Sequence, residues 1–290
     1  MSFVAADVGV VVQGITGRMG KRHAQLMRRY GTRIVAGVSP TADAAEIDGI
    51  PLYATCAKAV GATGARASVI MAPPLAVLPA LREAIAAGIE LVVSIAEGVP
   101  VADAVMARNE ARTAGVRWVG ASTPGLAIPG KLKLGFLPDV SLAPGPLGVM
   151  AKSGTLSYEI CSRLVQRGFG QSLWVGVGGD AVKGTRFADL VPHFASDPGT
   201  RALLVIGEIG GSEEEELAAA LIAQRFAKPV YALIAGRAAR EGVTMGHAGA
   251  LVFGGVGTIE SKAEALTRAG ARVFTRIQDM VNAVASAPAI

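Results

Sequence analysis

Two tracts of this chain, Val8–Val119 and Leu147–Phe274, share one pattern: short apolar runs rich in valine and isoleucine alternate with segments of helical periodicity. A run that is apolar at every position suits a strand buried on both faces, which parallel sheets covered by helices require. In the first tract the expected strands are Val8–Gln13, Arg33–Val38, Ala67–Met71, Glu90–Ile95 and Val116–Val119. Helices are expected over Lys21–Tyr30, 75–87 and 101–114, with Gly88 closing the second of them. In the second tract strands are expected at Leu147–Ala151, Leu173–Val177, Ala202–Ile206, Val230–Ile234 and Arg272–Phe274. The helices between them fall near 154–167, 186–195, 213–226, 248–252 with 258–269, and 276–285. This reads as α/β, with two doubly wound parallel sheets in tandem: a Rossmann-like domain over 1–121 and a flavodoxin-like domain over 147–290. Residues 122–146, crowded with Pro124, Pro129, Pro138, Pro144 and Pro146, read as the linker.

At 290 residues, 51% of them hydrophobic, the chain is long enough for two such cores. No apolar run reaches the ~18–20 residues of a membrane span, and the N-terminus lacks a signal-peptide pattern. Cys56 and Cys161 are isolated and form no metal-spaced pair, so a cytoplasmic protein with two reduced thiols and no metal site is expected. The net charge of +5 is uneven: residues 1–145 carry 14 Lys and Arg against 10 Asp and Glu, and the later half is nearly balanced. The excess lies in Arg18, Lys21, Arg22, Arg28 and Arg29, directly after a glycine loop. With no aromatic stacking platform beside them, a phosphate-bearing small ligand fits better than nucleic acid.

That loop, Gly14-x-x-Gly17-x-x-Gly20 between a strand and a helix, is suited to phosphate binding. Glycines let backbone N–H groups approach an anion, and the helix N-terminus adds partial positive charge. A dinucleotide site usually carries an acid at the end of the second strand, but here Val38-Ser39-Pro40 occupies that position and Asp43 lies beyond the proline. That weakens an NAD reading. The second domain opens with a similar strand-to-helix start at Ser153, Gly154 and Thr155, where Ser153 is an N-cap candidate beside an anion-competent helix end.

Of three histidines, His23 and His193 sit in helical segments without a paired ligand. His247, in Met245-Gly-His-Ala-Gly-Ala250, has neighbours too small to cover an imidazole and is the candidate nucleophile. Glu208, between glycines at a strand end, could hold one ring nitrogen and leave the other to react. Gly178-Gly179-Asp180 ends another strand and is open between a turn and a role in the site. The acidic run Glu213–Glu216 reads as a helix start, with Ser212 as cap and Glu215 completing a capping box.

Taken together these stretches resemble the α subunit of succinyl-CoA synthetase and the wider ADP- or GDP-forming acyl-CoA synthetases. The resemblance runs through Gln13-Gly-Ile-Thr-Gly17, Gly37-Val-Ser-Pro40, Ala96-Glu-Gly-Val-Pro100, Ser153-Gly-Thr-Leu-Ser-Tyr-Glu159, Gly176-Val-Gly-Gly-Asp180, Ile206-Gly-Glu-Ile-Gly-Gly211 and Met245-Gly-His-Ala-Gly-Ala250. It implies a first domain that binds coenzyme A through Thr16, Gly17, Arg18 and Met19, with Ile95, Ala96 and Glu97 nearby. It further implies that His247 carries phosphate, that Glu208 holds its ring, and that the Ser153 helix start stabilises the phosphorylated imidazole. Tyr158 matches a position assigned to the carboxylate substrate. The implied partner is a β subunit of ATP-grasp type, as αβ or α2β2, which would hold ATP or GTP with Mg and phosphorylate His247. Phosphate would then pass to a small carboxylic acid, succinate or another such as malate.

Four stretches depart from the family pattern. Thr41-Ala-Asp-Ala44 stands for Gly-Lys-Gly-Gly, so Ala42 replaces a lysine; Gly120-Ala-Ser-Thr-Pro-Gly125 stands for Gly-Pro-Asn-Cys-Pro-Gly. Ala151-Lys-Ser-Gly154 stands for Ser-Arg-Ser-Gly, and Ala239-Arg-Glu-Gly-Val-Thr244 for a lysine-rich lead-in. These changes suggest an altered ligand periphery around retained phosphohistidine machinery. Parts of the sequence also fit two other readings: an NAD(P)-binding oxidoreductase, and a catalytically inactive CoA-binding regulatory protein.

Overall fold

Valine and isoleucine runs with no polar face can lie only inside a sheet, and the chain buries them in two. A computed structural model describes residues 3–41, 45–237, 246–251 and 257–287. Two compact units emerge: Val4–Leu137 with Val182–Thr185, and Met1–Phe3 with Pro138–Ala181 and Arg186–Ile290.

In the first unit the strands are β1 (Val10–Gln13), β2 (Ile34–Val38), β3 (Glu46–Ile47), β4 (Ile50–Tyr53), β5 (Ala67–Ile70), β6 (Leu91–Ser94) and β7 (Arg117–Val119), ordered β3-β4-β2-β1-β5-β6-β7. All neighbours are parallel except the β3–β4 hairpin at one edge. The helices are α1 (Arg18–Tyr30), α2 (Cys56–Thr63), α3 (Val77–Ala86) and α4 (Val101–Thr113). From β1 the chain turns first to β2 on one side and later to β5 on the other, so the topological switch point lies between β1 and β5. The sequence pattern missed β3, β4 and α2, which are short and mixed in polarity.

The segment 122–146, expected as a linker, is folded. It forms the antiparallel hairpin of β8 (Gly125–Ile128) and β9 (Leu132–Gly135), a 3-10 turn at Asp139–Ser141, and the start of β10. Pro124, Pro129 and Pro138 flank these pieces and Pro144 opens β10, while Leu126, Leu132 and Leu134 are buried. The hairpin packs on α1: the Thr32 hydroxyl donates to Lys133 O at 2.7 Å, and His23 stacks on Phe136. Residues 182–185 return to β7, where Thr185 N donates to Trp118 O at 2.7 Å and Gly184 N to Gly120 O at 2.8 Å.

In the second unit β10 (Pro144–Ala151), β11 (Gln171–Gly176), β12 (Ala202–Glu208), β13 (Val230–Ala235) and β14 (Arg272–Phe274) are parallel in the order β14-β13-β12-β10-β11. Read from β11, that is the flavodoxin order, with its switch point between β10 and β12. Its helices are α5 (Gly154–Val165), α6 (Phe187–Ser196), α7 (Glu213–Ala223), α8 (Ile259–Arg268) and α9 (Ile277–Ala285). The helix expected at 248–252 is absent over its described part: Ala250 N closes a turn onto His247 O at 3.0 Å, and residue 252 lies outside the described residues. No helix among the described residues is long and apolar enough to cross a membrane.

Candidate active site

Doubly wound sheets bind ligands beyond the carboxyl ends of their strands, and both units place the residues of interest there. In the first unit the loop after β1 carries Thr16, Gly17, Arg18 and Met19, all exposed. Gly14, with φ +80°, is required at the turn: a Cβ there would stand 2.8 Å from Met71 O, in the loop after β5. The two loops therefore meet at the switch point. Gly17 caps α1 without a side chain, and no acid occupies the first helical turn. Bare N–H groups and an unopposed Arg18 suit a phosphate, the charge that coenzyme A brings.

Ile95 and Ala96 are half-buried and Glu97 is exposed, just beyond the end of β6. Parallel register puts them on the same edge of the sheet as the glycine loop, roughly 10 Å away across one intervening strand. Ala96 O accepts from Ser122 N at 2.9 Å, so the altered loop at Gly120–Gly125 rests on this strand end. At the end of β2 the Ser39 hydroxyl meets that of Thr16 at 3.0 Å, where a dinucleotide site would need a carboxylate. Ala42, Asp43 and Ala44 lie outside the described residues.

In the second unit Glu208 ends β12 and His247 lies in the loop after β13; 39 residues apart in sequence, they meet at Nδ1···Oε2 2.7 Å. Glu208 is nearly buried and His247 about a quarter exposed. Gly179, just beyond the end of β11, lies against the ring, where a Cβ would collide with Cγ, Nδ1 and Cδ2 of the imidazole. Gly249 N donates to Gly179 O at 3.1 Å and ties the histidine loop to that strand end. Within Gly178-Gly179-Asp180 it is thus Gly179 that lies against the histidine. Met245 and the lead-in Ala239–Thr244 lie outside the described residues.

Ser153 caps α5, its hydroxyl accepting from Leu156 N at 3.3 Å, and Gly154 and Thr155 form the first turn. One turn on, Tyr158 packs near Trp174, and burial pushes its phenol up to about 12, so it stays protonated at neutral pH.

The acidic run behaves differently from a capping box. Ser212 makes no cap to the backbone; its hydroxyl donates to Glu216 at 2.7 Å, and Glu215 accepts from Ser261 at 2.8 Å. Glu213 and Glu214 turn inward and are buried. Glu214 pairs with Lys152 (2.8 Å) and with Lys262, and accepts from the backbone N–H of Glu208 at 3.1 Å. Lys262, fully buried, also donates to Gly211 O at 2.9 Å. Lys152, read as part of an altered ligand periphery, lies inside this ionic cluster instead. Burial opposes ionisation of Glu214, but the two ammonium groups outweigh it and hold the carboxyl below its usual range. Burial likewise depresses the Lys152 ammonium, and Glu214, Glu213 and Glu208 outweigh it, so Lys152 lies above its ordinary value. No group of histidine, cysteine and carboxylate side chains able to hold a metal occurs among the described residues.

Fold and sites together define a two-domain coenzyme A ligase subunit, and comparison with known proteins agrees. The CoA binding domain family matches residues 6–98 and the CoA-ligase family residues 150–272. The succinate–CoA ligase [ADP-forming] subunit alpha of Aquifex aeolicus is 47% identical over 93% of this chain and 89% of its own length. The ADP-forming sulfoacetate–CoA ligase subunit SauD of Bilophila wadsworthia is 42% identical over 94% of each chain. ATP citrate lyase from Methanothrix soehngenii, solved with citrate and coenzyme A, shares the fold at TM-score 0.88 and 24% identity; this chain spans 98% of itself and half of that one. The chain therefore belongs to the α-subunit family of ADP-forming succinate–CoA ligases. It is a subunit of an acid–thiol ligase with coenzyme A as substrate.

Proposed function

We propose that His247 carries a phosphoryl group between a nucleoside triphosphate and a small carboxylic acid. The observation that carries this reading is the Glu208–His247 pair at the carboxyl edge of the second sheet. A carboxylate accepting from Nδ1–H fixes the tautomer whose lone pair is on Nε2, so nucleophilic attack falls to Nε2. An ATP-grasp β subunit, as αβ or α2β2, would hold ATP or GTP with Mg and present the terminal phosphate. Nε2 displaces the nucleoside diphosphate; the carboxylate then takes the phosphoryl group from Nε2 as an acyl phosphate; the coenzyme A thiol displaces inorganic phosphate to give the thioester. Phosphohistidine is anionic, and the Ser153–Thr155 helix start offers it N–H donors and partial positive charge. Tyr158, a neutral phenol on the same helix, is a hydrogen-bond donor for the acid. In the first unit Thr16, Gly17, Arg18 and Met19 take the coenzyme's phosphates, and Ile95, Ala96 and Glu97 line its path.

The acid we infer is a small carboxylate with a second anionic group one or two carbons away, since relatives at comparable identity are named for succinate and for sulfoacetate. The test is to copurify the chain with its β-type partner, add γ-labelled ATP and look for acid-labile, base-stable phosphate on this chain. Labelling is expected in the wild type and absent in His247→Ala; equal labelling of both would end the proposal. Thioester formation across succinate, malate, sulfoacetate and acetate then reads the acid, and acetate as the best substrate would refute the second anionic group.

A further inference from the structure

The buried cluster of Lys152, Glu214 and Lys262 has no part in the chemistry above, yet its geometry bears directly on it. Three charges inside a protein are costly unless each is paired, and removing one partner leaves a buried charge uncompensated. Glu214 is the shared member. One oxygen accepts from the N–H of Glu208 at 3.1 Å and pairs with Lys152 at 2.8 Å; the other contacts Lys262. Gly207, the residue before Glu208, has no side chain because the Glu214 carboxylate occupies that space, with Oε1 2.5 Å from where a Cβ would stand. Lys262 holds the far side of the same loop through Gly211 O at 2.9 Å and is steadied by Glu215 at 3.1 Å. Lys152 immediately precedes Ser153, the cap of α5. A single carboxylate thus joins the backbone behind Glu208 to the strand end that opens the α5 N-terminus.

We infer that Glu214, braced by Lys152 and Lys262, is a positioning residue that holds Glu208 in register with the Nδ1 atom of His247. The inference rests on the phosphohistidine reading for its consequence in catalysis, but the geometry it asserts is testable without turnover. Charged groups facing Glu208 are His247, Lys152 and Glu214, with Glu213 beside Lys152 at 3.8 Å.

The experiment uses the full chain, with the imidazoles labelled with nitrogen-15, in three variants. Glu214→Gln keeps the volume and removes the charge. Lys262→Met removes the second brace and serves if the first variant does not fold. Glu216→Gln, on the same helix as Glu214, removes the exposed pair with Arg186 and keeps an amide oxygen to accept from Ser212, and is the control. Imidazole resonances report which nitrogen of His247 carries the proton. Wild type and Glu216→Gln are expected to show the Nδ1–H tautomer with a downfield proton, and Glu214→Gln or Lys262→Met a mixture with the downfield proton lost. In the complex with the partner, single-turnover phosphorylation should fall by roughly ten- to a hundredfold, by analogy with the loss of groups that orient metal-bound histidines, with the KM for coenzyme A unchanged. A folded Glu214→Gln or Lys262→Met chain with the wild-type tautomer and wild-type phosphorylation overturns the inference. If the wild type takes up no phosphate, the phosphohistidine reading fails, and the tautomer comparison still decides whether the cluster positions Glu208.

Discussion

Gly179 shows how far one missing methyl group can decide a site. Its backbone lies against the His247 ring, and a side chain there would meet the imidazole carbons directly. Relieving such a clash by moving a packed neighbour costs about 1–3 kcal/mol, and the neighbour able to move here is the ring itself. Gly179→Ala is therefore expected to leave coenzyme A binding intact while phosphate uptake by His247 falls at least about tenfold, a factor worth about 1.4 kcal/mol. Isothermal titration with coenzyme A and labelling with γ-labelled ATP check the two halves; undiminished labelling would show that the ring does not need this wall. At this scale the sequence was legible where chemistry leaves a mark in residue size. Small residues beside His247 and glycines around Glu208 pointed to the pair across 39 positions. Lys152 and Lys262 were illegible, because a lysine in a polar stretch looks solvated until packing closes over it.

Among elements, α7 and α8 form where the sequence pattern expects them, but α7 turns an unexpected face inward. Four glutamates at a helix start satisfy the helix dipole, and that explanation is locally sufficient. It fails because α7 packs between α6 and α8 with its first two glutamates inward, towards Lys152 at the end of β10 and Lys262 on α8. Which face turns inward depends on the sheet order, which no local window contains. The cluster has a consequence for acid stability. Glu214 is held below its ordinary carboxylate value, so it stabilises the fold while ionised, and that contribution is lost as pH falls through the lowered folded value. Urea midpoints should drop more steeply below the ordinary carboxylate range in wild type than in Glu214→Gln. At neutral pH Lys262→Met, which leaves buried carboxylate short of a cation, should cost about 3–5 kcal/mol. Parallel pH curves for wild type and Glu214→Gln would remove the electrostatic explanation.

The whole molecule was read correctly in its class and in the doubly wound character of both sheets, since alternating apolar runs and helices have few other solutions. What escaped was where the chain passes between units. A proline-rich stretch looks like a linker, yet Leu126, Leu132 and Leu134 alternate with small and polar residues on a hairpin that covers α1. Residues 182–185 return to β7 through Thr185 and Gly184, a backbone contact that leaves no pattern in side chains. The two units can nonetheless be followed separately, because each holds one cysteine: Cys56 in the first and Cys161 in the second, both buried. Burial pushes each thiol up to about 12, with Glu83 adding to the effect at Cys56. Since the thiolate is the reactive form, neither should react with a disulfide reagent at neutral pH while its unit is folded. In a urea series each should become reactive at the transition of its own unit, so mass-resolved labelling of the two peptides would give two curves. Curves that coincide mean the units unfold together as one cooperative body. Stoichiometric labelling of either thiol without urea would contradict the core in which that cysteine is packed.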